Sequence, residues 1–328
     1  MKALITGVTG FVGSHLAEYL LANTDWDIVG MCRWRSPLGN IQSLIPEINK
    51  GGRVRLVYAD LRDGIAVREA VEQTNPTHVF HLAAQSYPKT SFTSPLDTLD
   101  TNVQGTVRLL DALRKSDAEI HVCSSSEVYG RAKTIPIAED APFHPASPYA
   151  VSKVGADLMA RHYAEAYGMR IQVTRMFTHS GARRGDVFAE SSFAKQIAMI
   201  EAGMIPPVVK VGNLKSLRTI SDVRDAVRAY HMLLTVNPCP GAYYNIGGSH
   251  TCTVGDILNT LLSMSTSKIG IEVDPDRLRP VDADLQVPDC TKFKNHTGWK
   301  PDIPFEKTMT DLLTYWRDQV KRGSPLQR

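Results

Sequence analysis

The sequence has no run of five or more basic residues, and its formal net charge is only +3. So small a charge suits an anionic small ligand and argues against nucleic acid. No apolar stretch approaches the ~20 residues a membrane-spanning helix needs, and the opening strand-like run, Ala3–Thr6, is too short for a signal-peptide core. The five cysteines, Cys32, Cys123, Cys239, Cys252 and Cys290, are odd in number, widely spaced and without a C-x-x-C pair. That argues against a disulfide framework or a structural zinc site and fits a reducing compartment, so the expectation is a cytoplasmic protein. No His/Asp/Glu cluster has metal-ligand spacing, and neither an internal repeat nor a low-complexity tract occurs.

What is present is alternation. Strand-like runs at Lys2–Thr6, Asp27–Met31, Val54–Tyr58, His78–Leu82, Glu119–Ser124 and Arg170–Met176 are separated by helical patterns near Phe11–Ala22, Ile65–Gln73, Asn102–Lys115 and Pro148–Tyr167. Strand, helix, strand at this spacing predicts an α/β fold of Rossmann type, a doubly wound and mostly parallel sheet over residues 1–177. From 178 to 322 the alternation weakens, with helices expected at Ser192–Ala202, Val223–Leu234 and Thr253–Met264. A smaller, irregular lobe is expected there, with some segments returning to the sheet, and residues 323–328 read as a disordered tail. Ligands of such folds bind at the carboxyl edge of the sheet, which places the cleft between the two parts.

The first strand runs into Gly7-Val8-Thr9-Gly10-Phe11-Val12-Gly13 and then into a helix. Glycines at 7 and 10 allow a tight turn close to a pyrophosphate, and Gly13 allows the helix to pack on the strand; the helix N-terminus offers N–H groups to the phosphates. After the second strand stands Cys32-Arg33-Trp34-Arg35, with no acidic residue for the ribose hydroxyls. Arg33 and Arg35 would pair with a 2′-phosphate, which favours NADP over NAD; the alternative is two solvated arginines. Asp60-Leu61 is placed to contact adenine, or Asp60 caps a helix.

Tyr149 and Lys153 lie four apart on one predicted helix and share a face. An ammonium beside a phenol favours phenolate, and a phenolate can take a proton from a hydroxyl while hydride leaves the same carbon. Ser124-Ser125-Ser126-Glu127 stands upstream.

Together the T-G-x-x-G-F-V-G turn, "HLAA", "SSSEVYG" and "SPYAVSK" resemble the extended short-chain dehydrogenase/reductase family over nearly the whole chain. The resemblance implies an enzyme acting on nucleotide sugars. It makes Ser125 the hydroxyl that bonds the sugar O4, Tyr149 the base and Lys153 its electrostatic partner and ribose contact. Leu82, Ala83, Ala84 and Gln85 fall beside the dinucleotide, and His179 near the nicotinamide. Glu127, two residues after the active hydroxyl, is where the family's 4,6-dehydratases carry the acid/base of β-elimination. The other reading of Glu127 is a carboxylate bonding its own loop.

Val211-Gly212-Asn213-Leu214-Lys215-Ser216-Leu217-Arg218 resembles the GDP-mannose branch, as do Gln85-Ser86 and Arg183-Arg184-Gly185. This resemblance implies that Arg218 and Arg279 clamp a diphosphate and that Ser86, Ser126, Thr178, Lys195, Val211 and Asn213 line the sugar-nucleotide site. It implies too that Arg184 lies at the cofactor and that the R-R-G loop helps subunits associate. Phe11-Val12-Gly13 and Thr178-His179-Ser180 depart from the dehydratases' Q-D-G and N-H-E, and "TGWKPDIPFEK" also resembles GDP-4-keto-6-deoxymannose reductases. The leading expectation is a GDP-mannose 4,6-dehydratase, with the reductase or a GDP-sugar epimerase as alternatives and a dinucleotide-sensing module as the non-enzyme reading. His81 and His121 read as core histidines with bonded nitrogens, and Trp299 as a packing residue. The helices near Asn102–Lys115 and Pro148–Tyr167 suggest a homodimer or homotetramer built on a four-helix bundle.

Overall fold

The computed structural model describes residues 1–278 and 283–323; Arg279 and positions 324–328 of the expected tail lie outside them. In chain order the first half gives strands β1 (Lys2–Thr6), β2 (Asp27–Cys32), β3 (Val54–Tyr58), β4 (His78–His81), β5 (Glu119–Cys123) and β6 (Ile171–Met176). Its helices are α1 (Phe11–Asn23), α2 (Ile45–Asn49), α3 (Gly64–Thr74), α4 (Pro88–Thr93), α5 (Pro95–Leu99), α6 (Gly105–Ala112) and α7 (Pro148–Tyr167). The second half adds β7 (His179–Ser180), β8 (Val208–Val211), β9 (Leu217–Asp222), β10 (Tyr243–Ile246), β11 (His250–Thr253), β12 (Gly270–Val273) and β13 (Leu285–Gln286). With these come α8 (Ala189–Glu201), α9 (Val223–Thr235), α10 (Val254–Ser263), α11 (Thr291–Thr297) and α12 (Phe305–Lys321).

Seven strands form one parallel sheet in the order β10-β6-β5-β4-β1-β2-β3. The chain reverses direction across the sheet at β1, where Thr6 pairs with Met31 on one side and His81 on the other. A crevice opens at such a switch point, beyond the strand ends. Both faces are covered, which is why the strands are continuous apolar runs. On one face Leu16, Leu20, Trp26, Val227, Tyr230 and Leu233 pack on Ile5, Ile28 and Phe80; on the other Val67, Leu109, Leu113 and Ala160 pack on Leu4, Val29, Val79 and Ile120.

The returning segments are α9, which shares the first core with α1, and β10, which extends the sheet beyond β6. Trp299, 2% exposed, packs against Phe293 and donates Nε1–H to Asp225 O at 3.2 Å. The rest of the second half has its own core of Phe193, Ile197, Leu258, Met309, Leu312 and Trp316, under two small sheets, β11-β9-β13 with β7 beside β9, and β12-β8. These strands have two to six residues, and α12 and the short helices α4 and α5 carried no recognised signal.

Local chemistry sets the helix ends that matter. α7 starts where the Ser147 hydroxyl accepts Ala150 N–H at 3.1 Å with Pro148 in the first turn, and stops at Gly168, φ +66°. The helix expected from Asn102 instead opens with a π-helical turn, Asp100–Gln104, before α6, and ends at Ala112. Among the described residues no helix is long and apolar enough to cross a membrane.

Candidate active site

The turn after β1 needs its glycines for space. Gly7 has φ +72°, and a Cβ there would stand 2.9 Å from Ala83 Cα; one at Gly13 would stand 2.3 Å from Gly7 O. Gly10 precedes α1 with no side-chain cap, and the first turn of α1 carries no acid. The N–H groups of that turn therefore remain for an anion. Asn40 Nδ2 donates to Thr9 O at 3.0 Å and steadies the loop, while Val12 packs into the core. Arg33 and Arg35 are exposed just beyond β2. This turn, the uncapped helix and the two arginines fit a dinucleotide with a 2′-phosphate.

Asp60 does not cap the following helix. Its carboxylate holds Arg62, and the cap of α3 is Asp63, which accepts from Ile65 and Ala66 N–H. Leu61 is buried beneath Gly105, and Ala84 is half-buried. Gln85 spends its side-chain amide on Tyr87 O and Thr98 Oγ1.

A buried thread of hydrogen bonds ties this turn to the catalytic helix. Thr6 Oγ1 accepts from Leu82 and Ala83 N–H and donates to His81 Nδ1 at 2.9 Å. His81 Nε2–H meets Thr106 Oγ1 at 3.0 Å, and Thr106 donates to Asn102 O. Asn102 Nδ2 donates to Ser152 Oγ at 2.9 Å, and Ser152 donates to Tyr149 O at 2.7 Å. Burial, helped by the Lys153 charge, holds His81 neutral with a pKa pulled down to about 3. His121 is likewise neutral and bonds Thr174, but its Nδ1 has no partner among the described residues, which show only half of its expected bonding.

α7 delivers Tyr149 and Lys153 to the carboxyl end of β5, each 8% exposed. Tyr149 hydrogen-bonds Ser125, whose hydroxyl also accepts Glu127 N–H at 3.2 Å; Ser126 is buried in the same short turn. Glu127 is half-buried, and its charge acts on the phenol. Lys153 Nζ donates to Cys123 O at 2.8 Å. The balance differs from the expectation of a lowered phenol: burial pushes Tyr149 well above the ordinary tyrosine value, against the Ser125 hydrogen bond and the Arg184 charge, which pull it down. Burial also pulls Lys153 below the ordinary lysine value.

The family model for GDP-mannose 4,6 dehydratase matches residues 4–312. The chain belongs to that family. The chain is 31% identical to the GDP-mannose 4,6 dehydratase of Drosophila melanogaster, over 95% of this chain and 85% of the relative. It is 30% identical to the GDP-6-deoxy-D-mannose reductase of Pseudomonas aeruginosa, over 98% of both. The solved structure of RMD from Pseudomonas aeruginosa complexed with NADPH superposes with a TM-score of 0.82 at 28% identity, covering 97% of this chain and 99% of that one.

The second half of this GDP-mannose dehydratase family member closes over the same cleft. His179 stacks on Phe11 with centroids 5.7 Å apart and planes within 10°; its Nδ1 meets Phe177 O, and its buried Nε2 has no partner among the described residues. Burial and then the Arg184 charge hold its pKa down at about 3. The Arg184 guanidinium lies 3.5 Å from the Phe188 ring centroid and 5.4 Å from that of Phe11, and its Nε donates to Glu190 at 3.1 Å. Thr178 O accepts Ser221 N–H, linking this segment to β9, and Ser86 is exposed.

The expected sugar-nucleotide residues are less uniform. Lys195 is buried and paired with Asp186 at 2.7 Å. Val211 has its side chain wholly in the second core, which leaves only its backbone for a ligand. Asn213 Nδ2 donates to Ser216 Oγ, and Arg218 donates to Leu217 O and Ala283 O. Sequence reasoning passed over Lys89, whose Nζ reaches Asp276 O at 2.6 Å across the cleft, and Arg277, which bonds Ser192 Oγ at 2.9 Å. Phe188 and Glu190, the ring and counter-ion of Arg184, also carried no motif.

Proposed function

We propose that this chain is an NADP-dependent GDP-mannose 4,6-dehydratase, converting GDP-mannose to GDP-4-keto-6-deoxymannose and water. The observation that carries the reading is the grouping of Ser125, Glu127 and Tyr149: one hydroxyl bonded to the phenol, with a carboxylate two residues on whose charge the phenol senses. Residues 1–177 serve mainly the cofactor and 178–322 mainly the GDP-sugar.

Bound NADP supplies the hydride acceptor for C4 and, after elimination, the hydride donor for C6. Tyr149 takes the O4 proton, with Ser125 hydrogen-bonded to that oxygen and Lys153 favouring the phenolate. The 4-ketone acidifies C5–H, and Glu127 removes that proton and delivers one to the departing C6 hydroxyl. Arg218, with Arg279, meets the diphosphate, because a guanidinium keeps its charge and offers forked donors. The unbridged thiols support a reducing, cytoplasmic setting. The exposed stripe of Val151 and Leu158 on α7, beside Phe92 and Leu96, supports association of α7 with a second copy.

The test is incubation with GDP-mannose and catalytic NADP⁺, followed by product mass. Loss of one water without net cofactor reduction is expected; no reaction on GDP-mannose defeats the reading. A second reading, reduction of the 4-keto sugar, is favoured by the nearly end-to-end match with the Pseudomonas reductase. It requires NADPH consumption only when that ketone is supplied.

A further inference from the structure

Residues 181–184 carry two arginines that turn opposite ways. Arg183 sits at φ +72°, a conformation costly for a residue with a Cβ. The turn sends Arg184 into the active site, over Phe11 and Phe188, and sends Arg183 out to the first half of the chain. There Arg183 Nη1 donates to Asn40 O at 2.9 Å and Nη2 pairs with Glu18. Glu18 in turn accepts from Ser43 Oγ, and His15 Nε2 meets Ala182 O at 2.9 Å. Asn40 is the residue whose side chain holds Thr9 O in the glycine turn, and its own loop is the continuation of Arg33–Arg35. The resemblance to the R-R-G loop implied a loop that lies at the cofactor and helps subunits associate; here the Arg183 guanidinium is committed to partners in its own chain.

We propose that Arg183 is a positioning residue for the cofactor: a latch from the sugar side of the cleft that fixes Asn40, and through it both the pyrophosphate turn and the 2′-phosphate loop. This rests on the dinucleotide reading of the Gly7–Gly13 turn. The latch segment runs directly from β7, which is hydrogen-bonded to β9, the strand bearing Arg218. The hold on the cofactor is therefore built from the substrate lobe, which suits a reaction whose cofactor is reduced and reoxidised without leaving. The strained turn belongs to the latch: it lets neighbouring arginines serve the cleft and the cofactor loop from opposite sides of one backbone.

The test uses Arg183→Gly, because glycine is at home at φ +72° and removes the guanidinium without forcing the backbone. Dissociation constants for NADP⁺, for 2′,5′-ADP and for GDP are measured on the parent, on Arg183→Gly, on Asn40→Ala and on the double variant, with Tm as the folding control. Loss of a charge-assisted contact predicts NADP⁺ and 2′,5′-ADP binding about tenfold or more weaker in each single variant. The double variant should lose little beyond that, because both act through one loop. GDP affinity should stay within about twofold, and KM for NADP⁺ should rise while kcat at saturating cofactor holds. Parent-like NADP⁺ affinity in Arg183→Gly overturns the latch, and so does an equal loss of GDP and NADP⁺ affinity, which would mark general loosening of the lobe. A parent protein that binds neither NADP⁺ nor 2′,5′-ADP overturns the dinucleotide reading, and the latch with it.

Discussion

Ser125→Ala should move the pH dependence of turnover in a stated direction by a stated amount. Tyr149 is buried and held above the ordinary tyrosine value, and the Ser125 hydrogen bond is the first of the influences that oppose this. A hydrogen bond to an ionised group is worth about 1.5–3 kcal/mol, and one pH unit corresponds to about 1.36 kcal/mol. Removing it should raise the phenol by about one to two units. The phenolate is the form that accepts the O4 proton, so the acid limb of kcat must shift to higher pH by the same amount. At a fixed pH below that limb the rate should fall about tenfold to a hundredfold and recover as pH rises. Ser125 also accepts Glu127 N–H, so Ser125→Thr, which keeps the hydroxyl, is the control and should leave the limb in place. The assay is kcat against pH under saturating GDP-mannose and NADP⁺. A limb that stays within about half a unit of the parent in Ser125→Ala, or a rate loss equal at every pH, would refute the argument.

Replacing Arg33 and Arg35 together by Ala should erase most of the preference for NADP⁺ over NAD⁺, since each charge-assisted bond to a 2′-phosphate is worth about 1.5–3 kcal/mol; equal affinities in the parent would defeat the idea. Glu127→Gln should still oxidise C4, seen as enzyme-bound NADPH absorbance, yet release no water; elimination at the parent rate would remove Glu127 from the proton transfer. Asp157→Asn strands Arg175, its partner at 2.9 Å, with both side chains at most 1% exposed. A loss of about 3–5 kcal/mol and a clear drop in Tm are expected, and an unchanged Tm would contradict it. Acid should destabilise the fold through its buried imidazoles: His15 and His78 are held down to about 4, and His81, His121 and His179 to about 3. Below the ordinary histidine value of about 6.5 the unfolded chain binds more protons than the folded one, so stability present at pH 7 is lost as pH falls toward 3. A Tm that stays level from about pH 6.5 to 4.5 would refute this.

The parts of the molecule that could be read from the sequence are those where one residue type does one local job. Gly7 and Gly13 are forced by close backbone approach, and Ser147-Pro148 and Gly168 mark the ends of α7 so clearly that its span, and the shared face of Tyr149 and Lys153, follow directly. The small sheets of the second half were illegible because strands of two to six residues carry too little periodicity, and β7 exists only by pairing with β9. The π-helical turn at 100–104 interrupts what a hydrophobic pattern reads as one helix. Burial decided the phenol's pKa, and burial is a property of the whole packed cleft that the four-residue spacing cannot report. Asn40 and Glu18 stand in no motif; what gives them meaning is a guanidinium over 140 positions away in the chain.

Hydride leaves C4 as the proton leaves the oxygen on that carbon, so their two acceptors must hold a common alignment. The thread from Thr6 through His81, Thr106, Asn102 and Ser152 to the backbone of Tyr149 gives both acceptors one datum. The turn that would hold the pyrophosphate and the first turn of α7, which bears the phenol, are thereby set against one frame.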